Sequence, residues 1–220
     1  SYEAGFKSDL LDRTLRFNAA VFQSSIKNLQ TGFVSLLSGG AVNFQTAGEA
    51  RVRGVEAELV VVPMAATNPG LVISANGSYL DAIYTEYLNG NGYNETTGIY
   101  SENNDFSGNR IVRTPKFSGT LGINQSVEAP GGVIDMNASV YYSDLYWFSS
   151  QNAPGTEQPA YYLLSAQLSY RYEPWRSSIS LFGSNLGDEK YYGTINQTDF
   201  GIMHFLAPPR QYGVRLSVNF

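Results

Sequence analysis

Residues 210–220 read RQYGVRLSVNF, and the order of residue types in this stretch sets the fold class. Tyr212, Val214, Leu216, Val218 and Phe220 fall on one side of an extended chain, and Gln211, Gly213, Arg215, Ser217 and Asn219 fall on the other. That is the period of a strand with one apolar and one polar side. At roughly 3.3 Å per residue the stretch also matches a tilted strand that crosses a bilayer. Over a soluble core the apolar side would be covered by a second layer. In an outer-membrane barrel it would face lipid, with the polar side turned to the lumen. The aromatic Phe220 closes the alternation, as it does in barrels of that kind.

Composition favours the barrel. Charged residues make up 15% of the chain, against the roughly 25% of a soluble domain. Tyrosine is abundant, with sixteen against two tryptophans. A net charge of −5 leaves no basic footprint for nucleic acid, which is excluded as a partner. The absence of cysteine removes disulfides, thiolate metal sites and thiol catalysis. The longest apolar run, 59–62 with 64–66 beyond Pro63, is far short of the ~20 residues a transmembrane helix needs. A membrane crossing by this chain must therefore use strands. Ser1 opens directly into alternation with no basic and apolar leader ahead of it, which predicts a mature or truncated product.

The same alternation recurs along the chain and predicts nine strands with no helix. Their apolar positions are Tyr2–Phe6, Leu15–Val21, Val55–Val61, Leu71–Tyr79, Phe117–Ile123, Ile134–Tyr142, Tyr162–Tyr172, Ile179–Leu181 and Tyr212–Phe220, taken at every second residue. Short links at Asp9–Asp12, Pro63–Gly70, Glu128–Gly132 and Glu173–Arg176 take turns with long ones at Gln30–Thr46, Leu88–Val112, Ser149–Ala160 and Gly193–Pro209. Short turns on one side and long loops on the other are the habit of a bacterial outer-membrane barrel. Tyr84, Tyr87, Tyr146, Trp147, Phe148, Tyr191 and Tyr192 enter long loops, while Tyr170, Tyr172 and Trp175 sit at a short turn, as two interfacial girdles would. Nine is odd, however, and the first and last strands run the same way. Either a tenth strand lies in a long loop or the chain is part of a larger barrel, and the start at Ser1 favours the second.

Several segments carry a family resemblance. They are Tyr2–Leu29 (YEAGFKSDLLDRTLRFNAAVFQSSIKNL), Ala47–Leu59 (AGEARVRGVEAEL), Gly108–Phe117 (GNRIVRTPKF), Asn185–Gly193 (NLGDEKYYG) and Ala207–Phe220 (APPRQYGVRLSVNF). In this order and spacing the chain resembles the C-terminal third of a TonB-dependent outer-membrane receptor. The resemblance implies an all-β fold, with residues 1–220 forming about nine antiparallel strands of a 22-stranded transmembrane barrel. The plug domain and the earlier strands lie outside this sequence. It further implies a location in the bacterial outer membrane and import of a scarce nutrient such as a ferric siderophore. Partners implied are the lipid bilayer and lipopolysaccharide, the plug of the same polypeptide, the TonB complex through that part, the barrel-assembly machinery and an extracellular small-molecule ligand. Tyr212, Val214, Leu216, Val218 and Phe220 resemble the family's assembly signal. Deletion of Phe220 is expected to lower outer-membrane insertion of the intact protein, measured as its share in outer-membrane fractions.

Candidate chemistry is sparse. His204 is the single histidine, so neither a histidine-based triad nor a metal cluster can be assembled. Glu56 and Glu58 share one strand face and are expected to join lumen salt bridges with Arg16 or Arg171, rather than to act as an acid/base pair. Asn103–Asp105 lacks the spacing of a calcium loop, and no cofactor or metal is expected. Ligand capture is expected in the long loops, through Tyr93, Tyr100, Trp147, Phe148, Phe200 and His204. Their aromatic faces suit catecholate or sugar rings, and Arg110 and Arg113 suit an anion. A barrel enzyme would need a catalytic cluster that the loops do not supply. A small structural or adhesive barrel is the other alternative.

Overall fold

A computed structural model describes residues 1–34, 39, 41–93, 97, 99–198 and 201–218. Nine strands form one antiparallel sheet: β1 (Tyr2–Leu10), β2 (Leu15–Val34), β3 (Val42–Val61), β4 (Leu71–Glu86), β7 (Phe117–Ala129), β8 (Gly132–Ser143), β11 (Tyr161–Tyr172), β12 (Ser177–Ser184) and β15 (Gln211–Val218). These are the nine that alternation predicts, each paired with its neighbour in chain order. Among the described residues β1 and β15 are its unpaired edges, and the barrel is not closed. The remaining strands belong to the long loops: β5 (Gly90–Tyr93) with β6 (Tyr100–Asn104), β9 (Tyr146–Trp147) with β10 (Glu157–Gln158), and β13 (Tyr192–Thr198) with β14 (Gly201–Leu206). None adds a tenth strand to the wall. The β2–β3 hairpin also runs further than its apolar pattern, with pairing up to Val34 and Val42 inside the expected 30–46 loop.

Residues opposite each other in a ladder point to the same face. Following the register across all nine strands therefore sorts the wall into two faces. One carries Phe6, Val21, Val55, Tyr79, Leu121, Val140, Leu164, Leu181 and Val214, an apolar band with no counterpart layer over it. The other carries Glu3, Asn18, Glu58, Asn76, Thr120, Gln167, Ser180 and Arg215. A water-facing sheet would not leave so many large apolar side chains exposed, whereas a lipid-facing one must.

The aromatic girdle at the long-loop end consists of different residues from those expected. Tyr2, Tyr79, Phe117, Tyr142, Tyr162 and Tyr212 all lie on the apolar face and all are exposed. Relative to the pairing this row steps down two positions between Tyr2 and Tyr79, two between Phe117 and Tyr142, and four between Tyr162 and Tyr212, across eight strand-to-strand steps. One residue of ~3.3 Å per ~4.8 Å strand spacing is a tilt of about 35°, within the range of transmembrane barrels. At that tilt the stretch of β11 from Tyr162 to Tyr172 rises about 27 Å, close to the ~25 Å apolar band of such barrels. The girdle at the short-turn end is as expected, with Tyr172 and Trp175 packed edge to face at 5.4 Å. Tyr84, Tyr87, Tyr146, Phe148 and Tyr191 instead turn inward. Position beside a loop places a tyrosine near the interface, but strand register decides which face it takes.

Short turns close the other end. Gly131, at φ +75°, takes the left-handed corner between Ala129 and Gly132, a conformation that costs glycine nothing. Lumen ion pairs also differ from expectation. Arg16 pairs with Asp9 at 2.8 Å and Arg171 with Asp135 at 2.8 Å. Glu58 instead accepts a hydrogen bond from Asn18 at 2.9 Å. The reason is proximity: Asp9 and Asp135 stand directly across the ladder from Arg16 and one strand over from Arg171.

Candidate functional site

The long loops fold back over the lumen end of the wall and are held there by a buried aromatic cluster. Tyr84, at the top of β4, is fully buried with Ala50, Tyr87 and Phe106, and Leu29 and Ile111 pack at its margin. Tyr87 meets Tyr84 at 4.9 Å and Phe106 at 5.3 Å, both edge to face, which suits the quadrupoles of the rings. The Tyr87 hydroxyl bonds Thr31 at 2.6 Å and receives the Gln45 amide at 2.5 Å, joining the β2–β3 hairpin to the cluster. Residues 106–111 then run back beside β4: the amides of Tyr84 and Ile111 donate to the carbonyls of Asn109 and Ala82, and the Gly108 amide donates to Tyr84.

Side-chain carboxamides lace the loops to one another by reading main-chain groups. Gln151 accepts from the Tyr93 amide at 3.1 Å and donates to the Tyr93 carbonyl at 2.6 Å. Asn152 clasps Arg110 in the same way, at 2.8 and 3.1 Å. Asn109 donates to the carbonyls of Ser150 and Gln151, and Ser149 donates to Gln197 of β13 at 3.2 Å. Asn185, the first residue of the NLGDEKYYG segment, clasps Glu189 through both its amide and its carbonyl. A carboxamide carries a donor and an acceptor side by side, so it can replace a strand partner where the backbone turns away. Outside the wall, hydrogen bonds from Ser107 hold the Asp105 carboxyl below the usual carboxylate range, and burial lowers the Arg110 guanidinium from its ordinary value.

Between these loops lies a cleft of about 450 Å³ whose walls come from β2, the β4–β7 loop, the 148–151 segment and β13. Tyr93, Tyr100 and Phe148, three of the expected ligand residues, line it together. Tyr93 and Tyr100 face each other at 5.4 Å, and the Tyr100 hydroxyl donates to Asn91 at 2.9 Å. Arg110, Arg113, Trp147 and His204, also expected, are not among the described residues lining it. Arg110 lies over the Trp147 ring at 5.9 Å and donates to the Thr114 carbonyl. Arg113 lies over Phe148 at 4.8 Å and reaches Thr194. His204 sits exposed on β14, where Nε2 bonds the Gly155 carbonyl at 2.9 Å. Phe200 falls outside the described residues, as does Phe220, while Tyr212, Val214, Leu216 and Val218 are exposed on the lipid-type face. Sequence reading missed Gln151, Asn91, Asn196 and Gln197. Their clustering in long Asn- and Gln-rich links was the available signal.

Below the cleft, inward-facing Tyr161 stacks on Tyr191 at 4.8 Å and meets Tyr141 at 6.0 Å. Further down, Glu3, Glu56 and Glu58 line an open trough of about 720 Å³ on the polar face. Among the described residues no group of three or more Asp, Glu and His side chains is placed to hold a metal ion.

Comparison with known proteins agrees with this architecture. A family profile described as "TonB dependent receptor-like, beta-barrel" matches residues 1–186. The metal-pseudopaline receptor CntO of Pseudomonas aeruginosa (strain UCBPP-PA14) is 29% identical over 223 residues, covering all of this chain and 27% of that protein. The chain thus spans about a quarter of the length of this curated relative. Among solved structures, the ferric yersiniabactin uptake receptor FyuA from Yersinia pestis superposes with a TM-score of 0.76 at 20% identity, over 100% of this chain and 29% of FyuA. The siderophore receptor PiuA from Acinetobacter baumannii gives 0.69 at 25% identity, over 99% of this chain and 28% of PiuA.

Proposed function

Because the chain belongs to the TonB-dependent receptor β-barrel family, we propose that it forms the C-terminal wall and outer loops of an outer-membrane importer that captures a metal chelate. The observation that carries this reading is the loop-roofed, aromatic-lined cleft at the opposite end of the wall from the short turns. In this orientation the apolar face meets lipid and lipopolysaccharide, and the loops face outside. The trough bearing Glu3, Glu56 and Glu58 faces a polar plug supplied by the same polypeptide, through which the TonB complex acts. Tyr212, Val214, Leu216, Val218 and Phe220 form the signal read during barrel assembly. Tyr93, Tyr100 and Phe148 supply contact area to the ligand, since rigid aromatic faces bury surface at little entropic cost. The chelate assignment is supported by the relatives, which are named as receptors for metal-pseudopaline, ferric yersiniabactin and siderophores.

The test is growth of the source bacterium with its complete gene deleted and restored, under limitation for iron and, separately, for zinc, nickel and cobalt. Restoration is expected to raise growth under at least one limitation, and the Tyr93→Ala/Tyr100→Ala double variant to reduce that gain severalfold at equal receptor abundance. Identical growth of deleted and restored strains in every medium overturns the chelate assignment.

A further inference from the structure

Just beyond the girdle at the long-loop end, the outward face changes character. Val21, Val55 and the girdle residue Tyr79 stand opposite one another on β2, β3 and β4. Two residues further along the strands the same face carries Gln23, Arg53 and Asp81, and two further again Ser25, Arg51, Ile83 and Arg110. Three arginines thus gather on the lipid side of the wall, where the apolar band ends. The Asp81 carboxylate accepts from Arg53 Nε at 2.7 Å and from Arg51 Nη2 at 3.4 Å, so one carboxylate fixes two guanidiniums and neutralises one. Arg110 is held over the Trp147 ring and by the Thr114 carbonyl, with Asp144 and Asp81 within electrostatic reach. Three guanidiniums against two carboxylates leave a positive excess. Lys27 and Glu49 form a separate pair one row higher, at 3.2 Å.

Height decides what this cluster meets. At a tilt of about 35°, Arg53 stands about 5 Å above the girdle row and Arg51 about 11 Å above it. A bilayer's polar layer is roughly 5–8 Å deep on each side, and arginine stems reach several ångströms along a surface to place their heads at a preferred depth. The guanidiniums therefore lie at the level of lipid head groups. A guanidinium has five N–H donors, and its planar fork matches the oxygens of a phosphate. The Arg53 side chain uses Nε on Asp81 and is still 54% exposed. Below it, Val21, Val55 and Tyr79 continue the apolar face along which acyl chains of the same lipid would run. We propose that Arg51, Arg53 and Arg110 form an outward-facing site for the phosphate groups of lipopolysaccharide in the outer leaflet. The inference rests on the importer reading, which turns the long loops outside, and it assigns a place on the wall to that lipid.

The experiment titrates the complete receptor, purified in detergent, with bisphosphoryl lipid A and with the same lipid after removal of both phosphates, and reads bound lipid by native mass spectrometry. The phosphorylated lipid is expected to bind about tenfold more tightly, the scale of one charge-assisted hydrogen bond. Arg51→Gln/Arg53→Gln is expected to lose that preference, and Arg110→Gln to reduce it severalfold. Arg16→Gln, on the lumen face at the short-turn end, is expected to keep it. Millimolar inorganic phosphate is expected to leave the lipid bound. Equal binding of the two lipids by the unmodified receptor overturns the inference whether or not the variants fold. An undiminished preference in the double variant, or an equal loss in Arg16→Gln, overturns it as well. Full displacement by inorganic phosphate shows a site for the free anion and overturns the lipid as its occupant. The titration uses no metal chelate, so its failure leaves the importer reading standing, and metal-limited growth tests that reading separately.

Discussion

Replacing Leu168 with arginine is expected to prevent most of the intact protein from accumulating as folded barrel. Leu168 lies on the apolar face, half exposed, with Met136 and Leu181 opposite it on the neighbouring strands. It stands between the girdle residues Tyr162 and Tyr172 of the same strand, near the middle of the band. An arginine there has no wet face to turn to, and at the midplane of such barrels it costs about 2–4 kcal/mol. Domains are stable by only ~5–15 kcal/mol, so this is a large fraction of the total. Gln167 is the informative control, because it lies one residue away on the lumen face, where Phe182 is its partner position. Gln167→Arg is expected to accumulate at close to the unmodified level. The measurement is the fraction of heat-modifiable receptor in outer-membrane preparations. Equal accumulation of the two variants would show that the apolar face does not meet lipid.

The second large effect belongs to Tyr84→Ala. Tyr84 is 0% exposed, and its ring is the centre of the cluster that anchors the loops, while its hydroxyl bonds Ser150 at 3.2 Å. Truncating a buried aromatic costs about 3–5 kcal/mol. Here the cost falls on the loops, because the nine-strand wall keeps its ladders whatever fills the mouth. The expected result is barrel of normal heat-modifiability whose 87–112 and 149–152 segments are cut much faster by protease added to intact cells. Tyr84→Phe retains the ring and loses one hydrogen bond, worth about 1 kcal/mol, so its loops should resist nearly as well as the unmodified ones. Unchanged resistance in Tyr84→Ala would mean that the cluster does not hold the mouth together.

These two sites differ in how far the sequence announces them. Leu168 is legible because its neighbours at 164, 166 and 170 repeat the same choice, and period 2 is a property of the strand itself. Tyr84 is not. Alternation counted on from Tyr79 puts it on the polar face with Ser74, Asn76 and Ser78, and the ladder agrees, pairing Tyr79 with Val55 and Tyr84 with Ala50 in unbroken register. What alternation does not announce is that this inward position is the centre of a buried cluster with Tyr87 and Phe106 rather than open lumen wall. The loops show the same limit. Their Asn and Gln content is plain in the sequence, but the clasp of Gln151 on Tyr93 spans 58 positions and that of Asn152 on Arg110 spans 42. No local pattern encodes such distances.

The sequence by itself determined the nine strands, their order of turns and loops, and the apolar face, and its ordered segments carried the resemblance to the family. The first three follow from rules that act between near neighbours: side-chain alternation, link length and the demand that lipid-facing positions be apolar. Only the tertiary structure decided at which level the outer girdle lies and which inward tyrosines close into a buried cluster, that the loops carry their own hairpins, and that the cleft is walled by carboxamides with its arginines turned onto aromatic rings. Those outcomes depend on register and on contacts between loops distant in the chain. Above the membrane no periodic solvent boundary dictates the sequence, so the pairing of specific groups takes its place.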